Sequence, residues 1–173
     1  MATTFTLISS TTVGSGGASS IDFTSIPSTY TDLQILFSGR STSAVTGLGL
    51  YFQFNGSSSA IYTYNELYAY SGGIGPFKQT SITDFFAGYV PGTSGTASTF
   101  SSNNIYIPNY ASSTNKPVFL SNAWEVNSTT GWQNDLVVGL WASTAAINRV
   151  YIYPGSGNFA QYTTAYLYGI SNA

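Results

Sequence analysis

The chain contains no cysteine and no histidine. Without cysteine there is no disulfide, no thiolate nucleophile and no thiolate metal ligand. Without histidine the commonest general base, the Ser-His-Asp triad and the usual zinc ligand are all missing. Charge is scarce too: four Lys+Arg and six Asp+Glu make up 6% of 173 residues, against a usual share of roughly a quarter. The cations Arg40, Lys78, Lys116 and Arg149 are scattered. They form no basic patch that could neutralise a phosphate backbone, so no nucleic-acid partner is expected. No apolar run reaches the length of a membrane-spanning helix, so no membrane insertion is expected. The opening MATTFTLISSTTVG has neither the basic start nor the long apolar stretch of a signal peptide and reads as a strand. The glycine-rich segments GSGG (14–17) and SGGIG (71–75) open no helix and precede no Lys-Ser or Lys-Thr, so neither is a phosphate loop. No EF-hand pattern occurs. No cofactor and no metal are implied.

What remains is a surface of hydroxyls and amides and a large stock of aromatics, 16% of the chain. Hydrophobic residues at 43% make the chain globular, and its length suits one domain over residues 1–173. β-prone runs follow one another between turn signals. They cover residues 3–13, Ile21–Phe23, Tyr30–Arg40, Leu48–Asn55, Phe77–Tyr89, Thr99–Tyr110 and Pro117–Val126, then LVVGLW, VYIY and AYLYGI. NSTTGWQN (127–134) reads as a turn. Residues 62–70 are ambiguous. Tyr62, Glu66 and Tyr70 share a helical face, whereas Tyr62, Tyr64, Glu66, Tyr68 and Tyr70 share a strand face; a strand or irregular loop is preferred. Short strands at this spacing, with no amphipathic helix, predict an all-β fold: an antiparallel β-sandwich, jelly-roll-like, of roughly 8–10 strands. The closing strands are expected to be core, with Leu167 or Tyr168 turned inward beside Phe5–Ile8.

Six carboxylates are available: Asp22, Asp32, Glu66, Asp84, Glu125 and Asp135. A glycosidase needs two facing each other across a sugar. Glu66 and Glu125, each among aromatics, are the candidates, set against the plainer reading that both serve solubility. Tyr62, Tyr64, Tyr68, Tyr70 and Trp132 form the candidate partner-binding surface. Tyrosine among Gly, Ser and Asn gives rigid contact area at low entropic cost; the same residues also read as half-buried strand faces. Two N-glycosylation sequons, at Asn55 and Asn127, are ascribed to chance in so Ser/Thr/Asn-rich a chain.

Three stretches carry a family resemblance: SIPSTYTDL, IYIPNY, and AINRVYIYP followed by GSGNF and YLYGI. With the segments around them, which span nearly the whole chain, they resemble small virion structural proteins of tailed bacteriophages, a group found in phages of aquatic and cyanobacterial hosts. The resemblance implies a jelly-roll sandwich on the exterior of the phage particle, usually a homotrimer, made in the host cytoplasm. It carries over no catalytic residue, so the chain is not expected to be an enzyme. The leading expectation is a capsid decoration, or cement, protein that stabilises the head by bridging major capsid subunits. The alternative is a tail-fibre or receptor-binding module recognising host surface glycans through exposed Tyr and Trp. The absence of a shaft or anchoring segment favours the first. A hydrolase using Glu66 and Glu125 is the third.

Overall fold

A computed structural model describes residues 4–70, 72–128 and 131–171, leaving out the side chains of 126–128 and 131. The described residues form twelve strands and no helix: β1 (Phe5–Thr12), β2 (Ile21–Phe23), β3 (Asp32–Ser38), β4 (Gly47–Phe54), β5 (Tyr62–Tyr70), β6 (Gly73–Ile82), β7 (Phe85–Pro91), β8 (Ser102–Ile107), β9 (Lys116–Ser128), β10 (Gly131–Trp141), β11 (Val150–Pro154) and β12 (Thr164–Ile170). The all-β class expected from the turn spacing is what the chain adopts. The strand number exceeds eight to ten for two reasons. Residues 62–70 form a full strand, and the run Phe77–Tyr89 breaks at Thr83 and Asp84 into β6 and β7. NSTTGWQN is not a wide turn. Both flanks are strand, and Trp132 lies within β10, paired with Glu125; Thr129 and Thr130 lie outside the described residues.

All pairings are antiparallel. One sheet has eight strands in the order β1-β12-β3-β8-β9-β10-β5-β6, the other four in the order β2-β11-β4-β7. The row β1-β12-β3-β8 faces β2-β11-β4-β7, and the chain crosses between the two rows at every step except that from β4 to β7, which stays in the small sheet. Two four-stranded rows connected in this way are a jelly roll. The remaining strands are two hairpins. β5–β6 is inserted between β4 and β7, and β9–β10 between β8 and β11. Both join the larger sheet beyond β8, which therefore overhangs its partner sheet.

The core follows from strand alternation. Leu33, Ile35 and Phe37 of β3, Ile105 and Ile107 of β8 and Leu167 of β12 meet Leu50, Phe52 and Phe54 of β4 and Val150 and Ile152 of β11, all buried. Burying each such side chain fully is worth about 1.5–3 kcal/mol. Phe52 is central, with ring centroids 5.1 Å from Phe54 and 5.0 Å from Phe85. β1 lies beside β12 with Leu7 opposite Tyr168; Leu167, not Tyr168, is the residue turned into the core.

β7 is the outer strand of the small sheet, and its free backbone edge is closed by asparagine side chains from the facing sheet. Asn122 Nδ2 donates to Tyr89 O and Asn122 Oδ1 accepts from Tyr89 N, both at 3.1 Å. Asn103 Nδ2 donates to Ala87 O at 2.7 Å. These amides complete an edge that would otherwise expose unpaired polar groups. Gly88 allows the approach: its φ is +84°, and a Cβ there would lie 2.5 Å from the Asn122 side chain.

β10 is apolar on both faces. Val137 and Trp141 are buried inward, while Leu136, Val138 and Leu140 point out and are 37–45% exposed. Leu136 pairs with Leu67 and Val138 with Phe119, two more exposed residues on the same outer face.

Candidate functional site

The overhang creates the site. Along the inner face of β5, Tyr62, Tyr64, Glu66 and Tyr68 follow at intervals of two. The small sheet covers the beginning of this row and not its end. Tyr62 is sealed; its hydroxyl accepts from Phe54 N at 3.0 Å and donates to Ser57 O at 3.0 Å, and burial pushes its pKa up to about 12. From Tyr64 onward the row opens into a cleft of about 420 Å³. One wall is Tyr64, Glu66 and Tyr68 of β5 with Phe77 and Gln79 of β6; the other is Tyr51, Phe86 and Tyr89 of β4 and β7, with Gln133 of β10 at the base. The volume is within the range of small-molecule sites.

The rings are held by one another. Tyr64 stacks on Phe86 at 5.4 Å and leans on Phe77 at 6.2 Å. Phe86 meets Tyr89 edge-on at 5.1 Å and Tyr51 edge-on at 6.0 Å. Tyr89 stacks on Trp124 at 5.1 Å, and Tyr51 on Tyr153 at 5.9 Å. Such contacts fix the ring planes, so the walls are preformed. Burial raises the pKa of Tyr51 and Tyr64 and takes Tyr89 to about 12, with nearby carboxylates adding to the effect, so all three keep their protons at neutral pH.

Glu66 meets Asp135, which extends from β10 on the same face as Gln133 but does not itself line the cleft. Both carboxyls are buried, at 6% and 1% exposure. Burial, then the charge and hydrogen bond of Asp135, raises Glu66 to about 7. Burial also raises Asp135, opposed by hydrogen bonds from Gln133 and Glu66. Glu66 is therefore the member that holds the proton the two share. Gln133 Nε2 donates to Asp135 Oδ1 at 2.7 Å, and Asp135 Oδ2 is buried with no donor other than the proton shared with Glu66. No cation comes near. Arg40 donates to the carbonyls of Gly95, Thr96 and Thr99, and Lys116 to those of Ser112 and Thr114. Arg149 pairs with Asp22 at 2.8 Å, and Lys78 sits opposite Asn65 on the other face of the β5–β6 ladder.

The structure separates the expected site residues. Tyr62 is core and drops out of any surface, because β4 and Trp141 close over it. Tyr64 and Tyr68 line the cleft. Tyr70 is 45% exposed at its rim, its ring 6.1 Å from that of Tyr68. Trp132 is 52% exposed on the opposite face of β10 from Gln133 and Asp135, and so does not join the tyrosines. Glu66 and Glu125 are not brought together. Their pairing partners on β10, Val137 and Trp132, are five residues apart, or roughly 16 Å of strand, well beyond the spacing of a glycosidase pair. Glu125 instead anchors a loop, accepting from Thr96 N at 3.2 Å and Thr96 Oγ1 at 3.0 Å. Tyr51, Phe77, Gln79, Phe86, Tyr89, Gln133 and Asp135 were not foreseen. The period-two row Gln133, Asp135, Val137 held a local signal for two of them; the rest converge only through tertiary structure.

No family model and no curated protein matches this chain. Among solved structures it is similar to the CBM40 carbohydrate-binding module of the Ruminococcus gnavus IT-sialidase, bound to alpha2,6 sialyllactose, at 11% identity over 86% of this chain and 90% of that one. The TM-score is 0.25, at which the likeness carries no argument about ligand or activity.

Proposed function

We propose that this chain is a non-enzymatic binding module whose β5–β6–β7 cleft takes a saccharide, the host-glycan-recognition role of a protein on the exterior of a phage particle. The observation that carries this reading is the open end of the β5 row. There the preformed rings of Tyr64, Tyr68, Phe77 and Tyr89 stand among Glu66, Gln79 and Gln133 in a single half-open cleft. Ring faces suit the C–H faces of a pyranose, and carboxyl and amide groups suit its hydroxyls. A few polar groups set in an aromatic wall is the pattern of a specific small-ligand site. The distance between Glu66 and Glu125 supports binding without hydrolysis. A glycan array probed with the wild-type protein, Tyr68→Ala and Trp132→Ala tests it. Binding should be lost in Tyr68→Ala and kept in Trp132→Ala. No glycan bound by the wild type, or loss confined to Trp132→Ala, refutes the cleft as the site.

The outer face of β10 favours a second role, capsid decoration. Leu67, Phe119, Leu136, Val138 and Leu140 form an exposed uncharged patch, and patches of this kind mark assembly surfaces. On this reading the protein forms a homotrimer and bridges major capsid subunits. A protein that stays monomeric in sedimentation at high concentration and does not rebind stripped capsids rules the role out.

A further inference from the structure

We propose, on the saccharide-binding reading above, that the ligand is a chain of several neutral sugar rings. It leaves the cleft over Tyr51 and continues along Tyr153 and Tyr151 on the outer face of the small sheet. The argument begins with what lies beneath the rings. A Cβ placed on Gly75 of β6 would stand 2.4 Å from the Tyr68 hydroxyl. One on Gly49 of β4 would stand 2.6 Å from the Tyr51 hydroxyl, and one on Gly155, just past β11, 3.1 Å from the Tyr51 ring. Both tyrosines therefore lie down across bare backbone, which only glycine permits so closely. One side of each ring covers a glycine and the other is turned away from the sheet. A ring held in this way is a platform for the C–H face of a sugar.

Tyr51 belongs to two surfaces. It lines the cleft, edge-on to Phe86 at 6.0 Å. It also stacks at 5.9 Å on its cross-strand partner, Tyr153 of β11, and Tyr153 leans at 5.4 Å on Tyr151 of the same strand. All three tyrosines are half-buried. The steps are alike and on the scale of one sugar ring, so successive units of a chain meet successive tyrosines. The row is set before a ligand arrives. The Tyr153 hydroxyl donates to Asp84 in the turn between β6 and β7. At the far end the Arg149 guanidinium caps Tyr151, 5.5 Å from its ring centroid, and is held by both oxygens of Asp22 at 2.9 and 2.8 Å. Such preorganisation lowers the cost of binding. With Arg149 paired to Asp22, and Asp84 engaged by Tyr153 and Thr83, the row offers hydroxyls to a neutral chain. Tyrosines paired across strands also stabilise a sheet. What points to a ligand is that this pair continues a wall of the cleft.

The test is calorimetric titration with glucose, mannose and N-acetylglucosamine oligomers, each from disaccharide to hexasaccharide. On a series that binds, wild-type affinity should rise at least about tenfold from disaccharide to hexasaccharide. Tyr151→Ala and Tyr153→Ala should each remove most of that rise and leave the disaccharide within about twofold of the wild type. Tyr153→Phe, which keeps the ring, should keep the rise, and Tyr68→Ala should lose binding at every length. Affinity that is the same at all lengths, or a rise that survives both alanine variants, overturns the extended row and leaves the saccharide cleft standing. So does an equal loss at every length in Tyr151→Ala, because the residue then acts through the fold; thermal melting of each variant is read alongside. Failure to bind any of the three series overturns the row, and together with a blank glycan array it overturns both readings.

Discussion

The two halves of the eight-stranded sheet use the same kind of strand to different ends. Over β1, β12, β3 and β8 the small sheet lies opposite, and inward residues such as Leu33, Ile35, Ile105 and Leu167 have no exposure. Over β10, β5 and β6 the cover runs out. The same inward alternation then delivers Tyr64, Glu66 and Tyr68 to a cleft, and β6 is exposed along nearly its whole length. The covered half carries apolar side chains inward. The overhanging strands carry an acid pair, and among the described residues two buried indole N–H groups, on Trp124 of β9 and Trp141 of β10, have no partner. Burying unpaired polar groups costs stability. These groups stand on the β9–β10 hairpin and its neighbour β5, not on the eight strands of the jelly roll, so the cost falls on the inserted hairpins while the jelly roll core supplies folding energy.

That contrast can be broken at several points. The largest effect belongs to the covered half. Phe52→Ala removes a ring packed between Phe54 and Phe85 and should cost about 3–5 kcal/mol in chemical denaturation. A loss below about 1 kcal/mol would mean the core lies elsewhere. Next is the seam between the halves. Asn122→Ala leaves Tyr89 N and O on the β7 edge without partners and should cost about 2–3 kcal/mol. Hydrogen exchange should rise first at Tyr89 and its neighbours on β7.

In the overhang the sign reverses. Glu66 faces Asp135 from β10, Tyr64 and Tyr68 from its own strand and Tyr89 from β7, and its carboxyl is raised from 4.5 to about 7. The folded state therefore binds the proton more tightly than the unfolded chain. The contribution to stability is full below about pH 4.5 and is lost as pH rises toward 7. Glu66→Gln should flatten this slope and be more stable than the wild type above pH 7, by about 1–2 kcal/mol after allowing for the water in the cleft. A steeper slope or a loss of stability above pH 7 would contradict the acid pair. The smallest expected change in stability is that of Tyr68→Ala, under about 1 kcal/mol by thermal melting, although it removes a cleft wall. A large loss there would make Tyr68 a core residue.

How much of this was legible follows from the range of each signal. Alternation is local, so the strands, the all-β class and the shared face of Tyr62, Tyr64, Glu66 and Tyr68 could be read directly. What alternation cannot say is whether anything lies opposite a face. Tyr62 and Tyr68 stand six residues apart on the same side of one strand, yet one is sealed and the other lines a cleft, because the small sheet reaches only the first. The pairing of Glu66 with Asp135 depends on β5 lying against β10, across 69 residues of sequence. No local pattern encodes that neighbour. Trp132 was misplaced for a related reason: the polar residues around it resemble a turn, but strand pairing with Glu125 overrides them.

Backbone amide chemical-shift mapping on the labelled protein, titrated with a saccharide that the glycan array shows it to bind, tests the cleft most directly. Shifts concentrated on β5 from Tyr64 to Tyr68, on Phe77 and Gln79, and on Phe86 to Tyr89 are the predicted result. Shifts on the outer face around Trp132, Leu136 and Val138, with the β5 row unmoved, would contradict it.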